Sequence, residues 1–212
     1  MKFAVLTTIL LATGATYGGV GVDNGWYSSA FGGYTYLSSN INTHYYGFLL
    51  SNAHYFYGYN VGGSMGYQKN ALRYEFQYTY LYAATDRYNV NQKKARDVDG
   101  GTKANVLMAN FYYDFPEIFM SISPFLGVGI GYAFMDATLN STSRFDRPHF
   151  NTDQNAFAYQ GGGGLTYNFS KQFAMNAAYR YTATTNGEHW GRPLQAQMGS
   201  FGIVYRFDKG ND

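Results

Sequence analysis

The strongest constraint on the fold is the stretch Leu72–Tyr82, in which two alternating sets of side chains differ in character. Large apolar or aromatic residues occupy the even positions, whereas Arg73, Glu75, Gln77 and Thr79 occupy the odd positions up to 79. A period of two predicts a β-strand with two unlike faces. The pattern recurs in weaker form along most of the chain, and such strands together require an apolar surrounding outside and a wet interior. A transmembrane β-barrel provides both.

Composition supports this interpretation and limits the alternatives. The 212 residues suffice for one domain, and they include 23 Tyr, 17 Phe and 26 Gly with only 13% charged residues. Aromatic residues are typical of strands that end at a lipid boundary, and glycine suits barrel corners and crowded inward faces. There is no cysteine, which excludes disulfide bonds and thiolate metal sites. The net charge of +2 identifies no class of partner, and we expect no nucleic-acid partner and no cofactor.

Residues 1–15 are typical of an export signal. Lys2 precedes a short apolar run, Phe3–Leu11, and small residues follow that run. The run is too short to span a bilayer as a helix, and no other window is apolar for the length that a helix requires. We therefore predict export across the inner membrane, followed by a barrel domain over residues 16–212 with its strands within residues 25–207.

Long polar connections and short turns alternate along the chain. An all-β, antiparallel up-and-down barrel of eight strands, with short periplasmic turns and four longer extracellular loops, produces that alternation, whereas a Greek-key sandwich mixes its connection lengths. The sequence does not decide which face of the first strand points inward, because both of its alternating sets contain aromatic and small residues. The predicted strands are Gly25–Leu37, Ala53–Gln68, Leu72–Tyr82, Lys103–Phe115, Ile118–Phe134, Asn155–Phe169, Phe173–Thr182 and Gln195–Phe207. The predicted long loops are residues 38–52, 84–102, 136–153 and 184–193.

Four segments, taken in order and with their spacing, point to a known family. They are Leu72–Tyr80, Asn105–Phe115, Ile122–Ala133 and Phe201–Phe207. These segments resemble the opacity-type surface proteins of the OmpA-like eight-stranded β-barrel superfamily. The resemblance covers residues 25–207 and implies a protein of the bacterial outer membrane, in contact with lipid and lipopolysaccharide. Members of that family are adhesins, surface antigens, envelope-stabilising barrels or narrow pores, so the resemblance implies location and fold more than task.

The resemblance also implies how the barrel is inserted. In that family the final strand usually ends the chain on an aromatic residue that the barrel-assembly machinery recognises. By this resemblance the assembly signal is the outward stripe of the last predicted strand, whereas here residues 208–212 follow the stripe. The stripe comprises Phe201, Ile203, Tyr205 and Phe207.

Glycine-rich segments and histidines provide no support for nucleotide binding or catalysis. Residues 127–131 and 161–164 lack the strand-to-helix turn and the following acidic residue that nucleotide-binding fingerprints require. We interpret these glycines as small residues that make room inside the barrel. The histidines lie in or beside the long loops, without a nucleophilic serine at a recognised spacing or a ligand partner at i, i+2, so we expect no metal site and no enzyme activity. They are His44, His54, His149 and His189.

Two groups of charged residues remain as candidate functional sites. Cations in the second long loop have two interpretations: a charged loop that is simply solvated, which is favoured because so small a charge excess attracts a partner weakly, or a contact with lipopolysaccharide or a host-surface glycan or protein. Inward charges are expected to form an ionic cluster, as a structural plug or along an ion path, because side chains nearly fill an eight-stranded barrel. We expect Glu75 to pair with Arg206 near one rim and Arg180 to lie farther up. The loop cations are Arg87, Lys93, Lys94 and Arg96, and the lumen set is Arg73, Glu75, Asp114, Arg180 and Arg206.

Three functions are compatible with this sequence. We favour an outer-membrane surface protein that acts through its extracellular loops as an adhesin, a surface antigen or an envelope-structural protein. The alternative is a small outer-membrane porin or channel with a charged lumen, and a lipid-modifying outer-membrane enzyme comes third. All three would share the same lipid-facing pattern, so the strands do not distinguish them.

Overall fold

The structure is a computed structural model that describes most of the predicted barrel. Its described residues are 24–37, 43–45, 48–90, 93–95, 98–118, 121–141, 149–185 and 193–207. Side chains are described at residues 24–37, 58–83, 103–118, 121–136, 155–185 and 193–207. The predicted export signal at residues 1–15 lies outside the described residues.

Eight long antiparallel strands form a closed barrel. They are β1 (Gly25–Leu37), β2 (Phe48–Lys69), β3 (Leu72–Val90), β4 (Val98–Asp114), β5 (Ile122–Ser141), β6 (His149–Asn168), β7 (Phe173–Thr184) and β8 (Gln195–Arg206). Each strand pairs with the next along the chain, and β8 pairs with β1, where Tyr27 lies opposite Arg206. The predicted eight-stranded up-and-down barrel is confirmed, since each long strand is hydrogen-bonded to both of its neighbours and the cylinder is closed. No helix in the described part of the chain is long and apolar enough to cross a membrane.

Several strands extend into segments that the sequence predicted as loops. β2 begins at Phe48, β3 continues to Val90 and β4 begins at Val98. In the same way β5 continues to Ser141 and β6 begins at His149. The loop prediction was wrong there because alternating hydropathy marks only the part of a strand that faces lipid, whereas backbone pairing continues where water surrounds both faces. The loops shortened in this way are residues 38–52, 84–102 and 136–153.

The connection between β4 and β5 is longer than predicted. The fifth strand begins at Ile122 rather than at Ile118, which lies in the connection and is 67% exposed. Pro116 lacks a backbone donor, and Ser121 has a φ of 65°, a left-handed conformation that an extended strand does not contain. These two residues keep Ile118 out of the barrel ladder.

The faces of β3 have the orientation predicted from the alternation. Arg73, Glu75, Gln77 and Thr79 face the lumen and are at most 8% exposed, whereas the outward Phe76 is 60% exposed. The outward residues of the other strands are exposed in the same way, and a bilayer would cover them. The apolar surface of this barrel is therefore its outside, as in other transmembrane barrels.

The structure shows which face of β1 points inward, a question that the sequence did not decide. Its odd-numbered residues point into the lumen and its even-numbered residues point outward. The buried inward set contains Tyr27, Phe31, Thr35 and Leu37, and the exposed outward set contains Trp26, Tyr34 and Tyr36. Aromatic residues therefore occur on both faces of this strand, which is why its hydropathy did not distinguish them.

Large inward side chains lie over glycines of neighbouring strands. A Cβ added to Gly66 would come within 2.6 Å of the ring and hydroxyl of Tyr27, and one added to Gly127 would collide with the ring of Tyr112. The interpretation of inward glycines as space for side chains is therefore supported. Among the four glycines Gly161–Gly164, Gly164 makes room for the ring of Phe125, but the interpretation was wrong for Gly161, where an added Cβ would meet no atom within 4 Å.

Aromatic rings form a lipid-facing rim near the short turns. Phe169 and Phe173 stack with ring centroids 6.3 Å apart, and Phe173 contacts Tyr205 at 5.1 Å. Tyr205 in turn contacts Phe207 edge-on at 5.3 Å. Such rings lie at the headgroup level of a bilayer, so this rim marks the boundary of the hydrocarbon on the side of the short turns.

Candidate functional site

Inward side chains divide the lumen into three layers along the barrel axis. We call them the apolar layer, nearest the long connections, the amide layer in the middle, and the ionic layer nearest the short turns. The apolar layer comprises Leu37, Leu81, Ala83, Ala104, Val106, Met108, Ala133, Met135, Ala156, Ala158, Leu194, Ala196 and Met198, each at most 6% exposed. The amide layer comprises Gln77, Thr79, Asn110, Gln160 and Thr182, all buried. The ionic layer comprises Tyr27, Arg73, Glu75, Tyr112, Asp114, Asn168 and Arg206.

A directional chain of hydrogen bonds crosses the amide layer. Thr182 Oγ1 donates to Gln160 Oε1 at 2.9 Å, and Gln160 Nε2 donates to Asn110 Oδ1 at 3.2 Å. Asn110 Nδ2 donates to Gln77 Oε1 at 2.9 Å, and Gln77 Nε2 donates to Thr79 Oγ1 at 2.7 Å. The chain links β7, β6, β4 and β3 across the lumen. Each amide both donates and accepts, which is the condition under which a buried polar network stabilises a fold.

Gly129 on β5 allows this chain to form. In the register of the sheet it lies between Asn110 on β4 and Gln160 on β6. A Cβ added at Gly129 would collide with Asn110 Oδ1. Because β5 contributes no side chain at this level, the two amides meet directly across it.

Arg73 and Asp114 form a buried ion pair in the ionic layer. Arg73 Nε lies 2.7 Å from Asp114 Oδ2, and Gln68 Nε2 donates to the same oxygen at 3.2 Å. The Arg73 guanidinium carbon also lies 5.0 Å from the ring centroid of Tyr112 and 4.9 Å from that of Phe125. The charge is therefore held by a carboxylate and by two aromatic faces, a favourable arrangement for a desolvated guanidinium.

Glu75 pairs with Tyr27 and not, as expected, with Arg206. Tyr27 Oη donates to Glu75 Oε2 at 2.8 Å. The register explains this partner: Gly66 on β2 lies between Tyr27 and Glu75, so the tyrosine reaches over it. Arg206 lies opposite Tyr27 on β8, so β1 and β2 separate it from Glu75 on β3.

Arg206 instead belongs to a relay at the periplasmic rim. Its Nη2 donates to Asn168 Oδ1 at 2.7 Å, and Asn168 Nδ2 donates to Glu117 Oε1 at 3.2 Å. Glu117 lies in the β4–β5 connection, and the relay therefore joins this connection to β6 and β8. The sequence did not identify Asn168 or Glu117 as members of the cluster.

Arg180 lies above the ionic layer, apart from the rim. Its Nη1 donates to Ser200 Oγ at 2.6 Å, and its guanidinium carbon lies 4.6 Å from the ring centroid of Phe31. Within the described residues it makes no ion pair with a carboxylate. A hydroxyl and an aromatic face thus replace the carboxylate partner that a buried arginine usually has.

Three of the four predicted loop cations lie in strands that extend the barrel, and their side chains are outside the described part of the structure. Arg87 belongs to β3, and Lys93 and Lys94 belong to a three-residue strand, Lys93–Ala95, that pairs with the end of β3. Arg96 lies outside the described residues.

The histidines among the described residues are distributed over several strands. Another three-residue strand, which includes His44, pairs with β2. His54 and His149 belong to β2 and β6, and the described residues contain no group of three potential metal ligands.

Sequence reasoning missed the inward aromatic residues and the amide chain. Tyr27 bonds Glu75, Phe31 packs under Arg180, and Gln77 belongs to a network of four strands. The signal available in the sequence was size: large residues on one strand correspond to glycines on the next. That signal requires the register between strands, which the sequence alone did not supply.

The fold and lumen define a class of protein: a closed transmembrane barrel with an aromatic lipid-facing surface and a filled interior. Residues 3–207 match the family described as "Outer membrane protein beta-barrel domain". The chain belongs to this family and is a protein of the bacterial outer membrane. No curated protein sequence matches the chain.

Solved structures share this fold at low sequence identity. Neisserial surface protein A (NspA) has a TM-score of 0.56 and 18% identity, over 86% of this chain and 97% of its own. A major outer membrane protein from Thermus thermophilus has a TM-score of 0.53 and 9% identity, over 84% and 99%. OprG from Pseudomonas aeruginosa has a TM-score of 0.52 and 13% identity, over 87% and 98%. The resemblance to OmpA-like eight-stranded barrels is confirmed.

The Arg73–Asp114 pair provides a test of the ionic layer. Arg73→Gln or Asp114→Asn alone should lower the free energy of unfolding by up to about 3–5 kcal/mol, because the remaining partner stays buried and unpaired. The double variant should lose less than the sum of the two single losses. Urea unfolding in lipid vesicles across the double-mutant cycle measures this coupling.

The matched control is the Glu75→Gln and Arg206→Gln cycle, since within the described residues these two side chains bond to different partners and not to each other. Its losses should be additive within about 0.5 kcal/mol. Coupling in the control cycle that equals the coupling of Arg73 with Asp114 would contradict the pairing described here.

Proposed function

We propose that this protein is a closed, non-conducting surface barrel that acts through its extracellular connections, as an adhesin, a surface antigen or an envelope-structural protein and not as an enzyme. The observation that carries the proposal is the apolar layer, whose side chains are at most 6% exposed. An ion crossing the lumen would lose its hydration shell there. The polar side chains at the same level, Thr35, Asn60 and Thr184, are at most 3% exposed and make hydrogen bonds to protein groups. The lumen therefore favours a structural plug.

The amide layer adds a second barrier below the first. Its members donate and accept within one chain of hydrogen bonds, so a passing ion would have to break that chain. An eight-stranded barrel also leaves an interior that side chains nearly fill. With the lumen occupied, the surfaces left for recognition are the connections and the extended strands at the extracellular end.

The extended β3–β4 hairpin is the segment we propose for binding. It contains Arg87, and the paired strand Lys93–Ala95 continues it beyond the long strands. Arg96 follows that short strand directly in the sequence, so residues 87–96 contain four cations. Their charge suits an anionic partner, such as a phosphorylated lipopolysaccharide core or a sulfated host glycan, at moderate ionic strength.

The alternative function is a small channel, and one observation favours it. The ionic layer contains buried guanidinium nitrogens of Arg73 and Arg206 that have no hydrogen-bond partner among the described residues. Water entering from the periplasm would supply those partners. A channel would in addition need the apolar layer to open.

Conductance across planar bilayers tests closure directly. The wild-type protein should show no steady conductance above that of the empty bilayer. Met108→Ser combined with Met198→Ser, which shortens two side chains of the apolar layer and makes them polar, should raise the conductance. Steady conductance of the wild type, unchanged in this variant, would favour the channel.

Binding of whole cells to immobilised sulfated polysaccharide tests the hairpin. Lys93→Gln combined with Lys94→Gln should weaken binding several-fold, and the wild-type signal should fall as salt rises. The matched control, Arg144→Gln with Arg147→Gln, removes two cations from the β5–β6 connection. Equal losses in both variants would show that only the total surface charge matters.

We further propose that the outward stripe of β8 and the residue after it, which consists of Phe201, Ile203, Tyr205 and Phe207, serves as the signal for the barrel-assembly machinery. All four residues are between 39% and 71% exposed. Phe207→Asp should lower the amount of protein in the outer membrane. Phe169→Asp places the same charge on the same aromatic rim but outside the stripe, and it should have a smaller effect. Immunoblotting of outer-membrane fractions measures the amount of each variant. Similar losses in the two variants would show that the charge disturbs contact with lipid and not recognition by the assembly machinery.

A further inference from the structure

The arginines of the lumen offer more hydrogen-bond donors than their neighbours accept. Arg206 Nε and Nη1 and Arg73 Nη2 are buried and have no hydrogen-bond partner among the described residues. A buried donor without an acceptor is destabilising, more so when it is charged. These nitrogens can therefore donate hydrogen bonds to a ligand that enters the periplasmic part of the lumen.

The nearby carboxylates do not supply that acceptor. Asp114 accepts from Arg73 Nε and from Gln68, and Glu75 accepts from Tyr27. Glu117 accepts from Asn168 rather than from a guanidinium. Each of these three carboxylates is thus held by another donor, and none of the three bonds the unpaired nitrogens.

The two guanidinium groups share one region of the lumen. Arg73 lies 5.8 Å from the ring centroid of Tyr27, and Tyr27 lies directly opposite Arg206 in the β1–β8 ladder. Both arginines also attract the carboxylate of Asp114. The two guanidinium charges are near enough to repel one another in this medium of low dielectric constant. Arg206 is only half-buried, so this region is accessible from the periplasm, whereas the apolar layer closes the opposite end.

We propose that a small inorganic anion, chloride or phosphate, binds at the periplasmic end of the lumen between Arg73 and Arg206. It accepts hydrogen bonds from Arg73 Nη2 and from Arg206 Nε or Nη1, and it reduces the repulsion between the two guanidinium groups. Arginine suits such a ligand because its donors are fixed, planar and always charged. The site binds an anion without conducting it, because the amide and apolar layers lie above it. The inference is independent of what the extracellular connections bind.

Urea unfolding of the refolded barrel in vesicles tests the site at constant ionic strength, with chloride or phosphate replacing gluconate. For the wild type, the anion should divide the unfolding equilibrium constant by one plus the ratio of anion concentration to Kd, and the concentration dependence should give that Kd. Arg206→Gln should abolish this dependence. The matched control Lys171→Gln removes one cation from an exposed turn at the same end, and it should retain the full dependence.

The arms of the experiment separate the two anions. A response to chloride alone, or to phosphate alone, identifies the ligand, and a wild-type response no larger than that in gluconate would overturn the proposal. An equal response in Arg206→Gln and the wild type would also overturn it. Crystals of the wild type grown with bromide or arsenate give a second readout that does not depend on a variant folding. An anomalous peak within hydrogen-bond distance of both arginines supports the site, and water alone at that position refutes it.

Discussion

The pairing of β1 with β8 is the constraint on which the rest of the structure depends. Hydrocarbon offers no partner to an unpaired strand edge, so eight strands are stable in a membrane only as a closed cylinder. Closure at this strand number leaves an interior that side chains must fill. That requirement explains why Tyr27 lies over Gly66 and Tyr112 over Gly127: a large residue on one strand is accommodated where the next has no side chain.

Because the barrel is closed, the side chains in its lumen do not contact lipid. The outward residues provide the apolar surface for insertion, so polar groups inside add no cost of contact with lipid. They are tolerated where partners surround them, as in the amide chain from Thr182 to Thr79 and in the pair Arg73–Asp114. The apolar layer requires no partners at all, and it separates these polar layers from the extracellular end.

The sequence predicted what depends on one strand at a time. The alternation in β3 identified its inward charges, and the rhythm of the connections gave eight strands and closure. The face of β1, the Tyr27–Glu75 contact and the amide chain depend on register across several strands, and Gly66 and Gly129 become informative only once that register is known. The extensions of β3 and β4 were missed because, beyond the lipid, pairing no longer requires an apolar face.

The difference between what single strands and strand register determine also explains how proteins can share this fold and differ in function. A lipid-facing position needs only an apolar or aromatic residue, and an inward position needs only a complementary size, so many sequences specify one barrel. NspA at 18% identity and the Thermus protein at 9% therefore share the fold. The parts that can differ without disturbing closure are the extracellular extensions, such as the hairpin continued by Lys93–Ala95, and the unpaired donors of Arg73 and Arg206. Specific properties of this protein are therefore concentrated at the two ends of the barrel.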